Sequence, residues 1–199
     1  LRRYRARPLA FERLEDRMLL ATLTVNSLAD NTTAMDGLVT LREAILAANG
    51  DTATDLGQTG AGADQIVFAS GLSGTIPLTG GQMAITDDLT ITGNGALSTI
   101  IDANRLSRIF NISGATTDVT LSQLTLTKGQ SNGYGGAIYS SSDGTLSISS
   151  CALTSNRAVG TDNDGGAICM ANSGNLVVTG SQFANNLATD EGGAIYVAG

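Results

Sequence analysis

The chain has 199 residues, of which 42% are apolar and 25 are glycine, and it contains no histidine. This length predicts a single domain, or one domain with a tail, and the missing histidine excludes serine–histidine and cysteine–histidine nucleophile systems and imidazole metal sites. Residues 21 to 199 hold 5 basic and 15 acidic side chains, which argues against a nucleic-acid partner, and no apolar run is long enough to predict a transmembrane helix.

The first 20 residues (LRRYRARPLAFERLEDRMLL) differ from the rest, with six arginines against three acids. They lack the apolar stretch of an ordinary signal peptide. Residues 14 to 20 resemble the LEPR-XLL targeting segment of large exported bacterial proteins, with Asp16 where that motif has proline. The alternative is a short amphipathic tail. Both interpretations place residues 1 to 21 outside the fold.

Residues 23 to 28 (LTVNSL) alternate like a strand, and residues 41 to 49 have the pattern of a helix. Thr40 is the expected N-cap and forms a capping-box pair with Glu43 in the first turn, and Asn49 followed by Gly50 ends the helix. The expected buried face contains Leu41, Ala44, Ile45 and Ala48. Residues 22 to 64 are therefore predicted to be an N-terminal cap, which a solenoid needs over its first coil.

Residues 39 to 44 (VTLREA) resemble the motif that gives the CSLREA domain its name. Leu-Arg-Glu-Ala is kept, Thr40 replaces serine and Val39 replaces cysteine. The resemblance covers about residues 23 to 70 and implies that this segment is such a cap.

From residue 65 onward the sequence predicts short strands, which include four repeated rows of two strands each. Rows that start at Asp88, Asp118, Thr145 and Asn175 place apolar residues one, three, six and eight positions later. The Asp88 row is the weakest, since it puts Asn94 and Ala96 at the last two of these positions. Leu124, Cys151 and Ser181 are expected to lie over one another in one column.

Each of the last three rows is followed, three residues after its final apolar position, by Gly129, Asn156 or Asn186. Glycine and asparagine adopt positive φ most readily, so these positions predict a tight corner at positive φ in successive turns.

A second phrase, Gly-Gly-Ala-Ile, begins at Gly135, Gly165 and Gly192, with second glycines Gly136, Gly166 and Gly193. The separations of 30 and 27 residues are typical of a solenoid. Short strands and glycine-rich corners favour an all-β, right-handed parallel β-helix over residues 65 to 199. Leucine-rich repeats are the structural alternative, but these units lack their leucine signature.

The Gly-Gly-Ala-Ile phrase alternates with residues 183 to 186 (FANN), and together they resemble the polymorphic outer membrane protein repeat over residues 118 to 199. The resemblance implies a bacterial protein that is secreted or on the cell surface. The chain is expected to be a fragment whose repeats continue.

Carboxylates are the chemistry that remains. Asp162 and Asp164 precede one Gly-Gly pair, and Asp190 and Glu191 precede the next, so stacking could bring their oxygens together as weak candidates for Ca²⁺. The alternative is a solvated acidic corner, and no other cofactor is expected. Cys151 and Cys169 fall in different columns, which favours two reduced thiols over a disulfide.

A mixed cluster of Asp102, Arg105 and Arg108 and a ladder of Tyr139 and Tyr196 on either side of Cys169 are further candidates, although turn and packing roles account for both. No catalytic residue is predicted. The favoured function is a non-catalytic stalk, passenger or adhesin-like segment, with a surface glycan or a host or neighbouring-cell protein as partner. The alternative is a carbohydrate-active enzyme or glycan-binding protein with its site in coils outside this chain, or a fragment with no activity of its own.

Overall fold

The computed structural model describes residues 20 to 198. It contains one stack of short strands with a helix at its N-terminal end. The helix α1 spans Leu41–Asn49. In chain order the strands are β1 Thr22–Val25, β2 Asp64–Phe68, β3 Gly74–Pro77, β4 Met83–Ile85, β5 Leu89–Thr92, β6 Thr99–Asp102, β7 Phe110–Ile112, β8 Val119–Ser122, β9 Thr125–Thr127, β10 Gln130–Ser131, β11 Ile138–Ser140, β12 Thr145–Ser149, β13 Ala152–Thr154, β14 Arg157–Ala158, β15 Ile168–Met170, β16 Asn175–Thr179, β17 Gln182–Ala184, β18 Leu187–Ala188 and β19 Ile195–Val197.

These strands form four parallel sheets that run along the stack. The first sheet has the order β1-β2-β5-β8-β12-β16, the second β3-β6-β9-β13-β17, the third β4-β7-β11-β15-β19, and a short fourth sheet β10-β14-β18. The chain visits the sheets in the same order in each of five coils: coil 1 (β2–β4), coil 2 (β5–β7), coil 3 (β8–β11), coil 4 (β12–β15) and coil 5 (β16–β19). The predicted all-β fold, a parallel β-helix with a short helix near its start, is confirmed.

Alternation of apolar and small polar residues produces this arrangement. In β8, Val119 and Leu121 are buried, whereas Thr120 and Ser122 point to the partly exposed outer side. Leu146 and Ile148 of β12 pair with Val119 and Leu121 in register. Because a strand alternates its faces with a period of two, each in-register coil adds one layer to the same apolar interior.

The column predicted for Leu124, Cys151 and Ser181 follows from the register of the second sheet. Ala152 pairs with Thr125 of the preceding coil and with Gln182 of the next, so the residue before each lies in one column. Leu124 and Cys151 are buried in it, and Ser181 is partly exposed. The Ser181 hydroxyl accepts a hydrogen bond of 3.0 Å from the Cys151 N–H.

One part of the predicted rows is wrong. Asn94 and Ala96 do not continue the strand pattern of coil 2, because they lie in an irregular loop between β5 and β6. The second-sheet strand begins at Thr99, and Ile101 pairs with Leu126 of the next coil. The chain inserts extra residues at this corner, so an offset counted from Asp88 falls short of the buried positions.

The helix α1 covers the start of the stack. Thr40 and Glu43 make the predicted capping box, in which the Thr40 hydroxyl accepts the Glu43 N–H and the Glu43 carboxylate accepts the Thr40 N–H. The helix buries Leu41, Ala44, Ile45, Ala47 and Ala48. Its apolar face therefore supplies the layer that a preceding coil would otherwise provide.

Candidate functional site

Three repeated structures set the shape of the coils: an asparagine ladder, the Gly-Gly columns and a patch of tyrosines beside an acid. The first two are built by residues that occupy equivalent positions in coils 3, 4 and 5. The first two hold the coils together. The third lies at an open cavity.

The asparagine ladder consists of Asn156 and Asn186, preceded in coil 3 by Gly129. Asn156 is fully buried. Its Oδ1 accepts the Gly129 N–H at 2.8 Å, and its Nδ2 donates to the Leu126 carbonyl at 3.1 Å. Asn186 repeats the pattern, since its Oδ1 accepts both the N–H and the Nδ2–H of Asn156, at 3.0 Å each.

The prediction that Gly129, Asn156 and Asn186 adopt positive φ is wrong by one residue. Positive φ occurs at the preceding positions, with values of 52° at Lys128, 58° at Ser155 and 56° at Asn185. The corner exists where it was expected, but its asparagines are selected for their side-chain amides. A Cβ atom added to Gly129 would overlap the Gly136 carbonyl oxygen, so the close approach of these two backbones explains that glycine.

The two positions of each Gly-Gly pair require glycine for different structural reasons. The first glycine, at positions 135, 165 and 192, has φ of 63°, 67° and 61°, which side chains rarely tolerate. The second lies against the next coil, because a Cβ on Gly136 or Gly166 would overlap the carbonyl oxygen of Gly166 or Gly193 respectively. Gly193 has nothing within 4 Å of that position.

The open cavity lies on the outer side of the third sheet and has a volume of about 230 Å³. Tyr139, Cys169 and Tyr196 follow one another in register there. The Tyr134 ring stacks on the Tyr139 ring, with centroids 6.4 Å apart and planes inclined by 21°. The cavity is lined by Tyr134, Asp164, Cys169, Ala171, Tyr196 and Ala198.

Acidic charge dominates this cavity. Burial, followed by the charge of Asp164, raises the pKa of the Cys169 thiol to about 11, against a smaller opposite effect of Arg108. Desolvation, with the charges of Asp164 and Glu191, also raises the pKa of Tyr196. Both thiols are free and buried, and burial likewise raises the pKa of Cys151. The cysteines are therefore protonated at neutral pH.

The four predicted calcium ligands differ in burial and in hydrogen bonding. Asp164 is buried and its Oδ1 accepts the Glu191 N–H at 2.8 Å, whereas Asp162, Asp190 and Glu191 are exposed. Within residues 20 to 198, no group of three or more acidic, cysteine or histidine side chains has metal-ligand geometry. The backbone contact of Asp164 gives it a structural role at the Gly-Gly corner.

The predicted cluster of Asp102, Arg105 and Arg108 is divided between separate partners. Asp102 forms an ion pair of 2.5 Å with Lys128, and Arg105 donates to the Ser155 carbonyl. Arg108 lies 5.1 Å from the centre of the Tyr139 ring. Sequence reasoning missed this role of Arg108. The available signal is that Arg108 comes two residues before β7, and that Tyr139 lies in β11, the strand that pairs with β7.

A second missed role belongs to Arg42 of the helix. It forms an ion pair with Asp30 at 2.7 Å and donates to the Gly81 carbonyl at 2.6 Å. Asp30 also accepts the N–H groups of Thr79 and Gly80 at 2.6 and 2.8 Å. The residue inside the Leu-Arg-Glu-Ala motif thus fastens the helix to the loop that joins β3 and β4.

A comparison with family models matches residues 180 to 198 to the Chlamydia polymorphic membrane protein repeat. No curated protein and no solved structure matches the chain significantly. The matched residues form most of coil 5 and contain both the Phe183–Asn186 phrase and the third Gly-Gly pair. The predicted resemblance to this repeat is supported there, while those of residues 23 to 70 and 1 to 21 stay predictions, and the latter segment lies almost wholly outside the described residues.

Proposed function

We propose that the chain is a β-helical segment of a bacterial surface or outer-membrane protein, and that it presents its outer faces as a non-catalytic, adhesin-like scaffold. The supporting observation is the repeat match at residues 180 to 198. The motifs in that match recur at equivalent positions of coil 4. The Gly166 N–H there donates to the Gly192 carbonyl, and the Asn156 N–H donates to the Asn186 side chain. A match to one coil therefore bears on the coil before it as well.

The outer faces have the chemistry of a scaffold. Small hydroxyl side chains stack along them, as between Ser122 and Thr92 at 3.1 Å and between Thr154 and Thr127 at 3.0 Å. Such ladders satisfy their own polar atoms and rigidify the surface. Within residues 20 to 198, no helix is long and apolar enough to cross a membrane.

Surface labelling of intact cells tests the location. An epitope inserted after Leu97, which is 95% exposed in the loop between β5 and β6, keeps the coils in register. We expect a membrane-impermeant antibody to label intact cells that produce the full protein. Labelling that requires permeabilised cells, with a cytoplasmic protein as reference, would contradict the proposal.

An activity assay separates the scaffold from an enzyme. Purified chain is incubated with acidic polysaccharides, with and without Ca²⁺, and the release of unsaturated uronate is measured. We expect no release above that of heat-unfolded protein. Turnover that disappears on Asp164→Asn would overturn the non-catalytic role while leaving the location intact.

A further inference from the structure

The tyrosine cavity between coils 4 and 5 has the shape of a small-ligand site. Its two aromatic side chains are Tyr134, which is 43% exposed, and Tyr196, which is partly exposed. Cys169, Ala171 and Ala198 are the small residues of its lining. Larger side chains at these three positions would fill the space that the tyrosines border.

Arg108 holds the aromatic side of the cavity in place. It donates hydrogen bonds of 2.8 Å to the Gly135 carbonyl and of 2.5 Å to the Tyr134 carbonyl. It also donates to the side chains of Ser131 and Gln82, each at 2.8 Å. Because its donors are engaged and its guanidinium lies at Tyr139, it supports the rings without lining the cavity.

The side chains at the cavity carry negative charge. Asp164 is 9% exposed, and its Oδ1 accepts the Glu191 N–H. Oδ2 remains for a ligand. Glu191, whose N–H binds Asp164, adds a second carboxylate close enough to raise the pKa of Tyr196. An anion entering this cavity would meet like charge.

We propose that this cavity binds an organic ammonium group, of which the trimethylammonium group of choline is the simplest form. Tyrosine rings attract cations through their negative faces, and the attraction is strongest when water is excluded. Asp164 supplies the counter-charge at the edge of the same space. A methylated ammonium group suits the site because it contacts the rings without needing several hydrogen-bond acceptors. The proposal does not depend on where the protein is located.

Binding of choline to the purified chain is the direct test, measured by titration calorimetry or by NMR line shifts. The matched ligand is 3,3-dimethylbutan-1-ol, which has the shape of choline and no charge. We expect choline to bind at least about tenfold more tightly than this neutral alcohol. Equal affinities, tighter binding of methyl glucoside, or no saturable binding of choline would each overturn the proposal.

Variants place the ligand in the cavity. Asp164→Asn keeps the oxygen that accepts the Glu191 N–H and removes the charge, and Tyr196→Leu removes one ring while keeping an apolar side chain. Each is expected to weaken choline binding about tenfold. Asp143→Asn, an exposed acid outside the cavity, is the matched charge control and should leave affinity unchanged. Unchanged affinity in Asp164→Asn, with an unfolding midpoint equal to that of the parent, would contradict the site.

Discussion

The N-terminal region and coils 3 to 5 are stabilised in different ways. The N-terminal region, which comprises α1 and coils 1 and 2, depends on contacts that occur once, such as the Asp30–Arg42 ion pair and the capping box. Coils 3 to 5 depend on contacts that recur at each turn, namely the asparagine ladder and the Gly-Gly columns. The first region therefore depends on individual side-chain contacts, and the second on contacts that the repeat reproduces.

The two regions also differ in how fully their apolar side chains are buried. Leu23, Ile45 and Ile66 near the helix are at most 1% exposed, whereas Val178 of coil 5 is 40% exposed. Leu176, Phe183 and Ile195 of coil 5 pack on the core from one side and are partly exposed. A coil buries its apolar residues fully when it has a neighbour on both sides. Among residues 20 to 198, the strands of coil 5 pair on one side, and this accounts for the partial exposure of their apolar residues.

The largest loss of stability is expected at the ladder. Asn156→Ala leaves the Gly129 N–H and the Leu126 carbonyl without their side-chain partner, and it removes one of the two donors to the Asn186 Oδ1. It should lower the free energy of unfolding by about 3 to 5 kcal/mol. Urea denaturation measures it, with Asn175→Ala as the exposed control. A loss equal to that of the control would show that the ladder does not stabilise coils 3 to 5.

The Gly-Gly columns allow a matched pair of substitutions in adjacent coils. Gly166→Ala forces a Cβ against the Gly193 carbonyl and should cost about 2 to 3 kcal/mol, whereas Gly193→Ala has open space and should be nearly neutral. Thermal unfolding of both variants provides the measurement. Similar losses in the two would refute stacking as the reason for the second glycine.

At the N-terminal end, Asp30→Asn should cost about 2 kcal/mol at neutral pH, because it weakens the ion pair with Arg42. Burial opposes ionisation of Asp30, but the hydrogen bonds from Arg42, Gly80 and Thr79 outweigh it and lower the pKa. A lowered pKa in the folded state contributes stability above the unfolded value that is lost as the pH falls through the folded value. The difference between parent and variant should therefore shrink in acid, as unfolding midpoints measured from pH 7 to pH 3 will show.

The contribution of Asp64 to stability should depend on pH in the direction opposite to that of Asp30. Burial, aided by the charges of Asp51 and Asp87, raises its pKa, and its Oδ2 is buried with no partner among residues 20 to 198. A raised folded pKa contributes stability below the unfolded value that is lost as the pH rises through the folded value. Asp64→Asn should therefore raise the free energy of unfolding at pH 7 by about 1 kcal/mol, and the gain should vanish in acid. A gain that is independent of pH would contradict this assignment.

The smallest expected effect concerns the reactivity of the Cys169 thiol. With a pKa of about 11, the Cys169 thiol should resist alkylation by iodoacetamide at pH 8 in the folded chain and react once urea unfolds it. Peptide mapping identifies the labelled cysteine. Labelling of folded Cys169 at the rate of a free thiol would show that the outer side of coils 4 and 5 opens readily.

Much of the fold could be predicted because its signals are periodic or local. Alternation in rows such as Val119 and Leu121 predicted the strands, and Thr40 with Glu43 predicted the start of the helix. The offset in coil 2 could not be predicted, since a corner insertion after Gly93 leaves no mark in the apolar pattern. The φ assignment failed at Asn156 because positive φ and a buried amide ladder both select asparagine.

The cavity was partly foreseeable. The register of Tyr139, Cys169 and Tyr196 followed from the Gly-Gly spacing. The position of Tyr134 did not, because it lies in a loop outside the strands and its stacking on Tyr139 depends on the tertiary contacts of Arg108.

The asparagine ladder gives the stack a direction. Each amide oxygen caps the backbone N–H of the coil before it, so every coil completes its predecessor and offers its own N–H to a successor. A residue without a side chain, such as Gly129, can receive this contact but cannot pass one backward, which suits it to the opening position of the series. Coils that carry the asparagine present the same amide and backbone N–H to their neighbours, so duplicating one of them would preserve the ladder bonds at the junction.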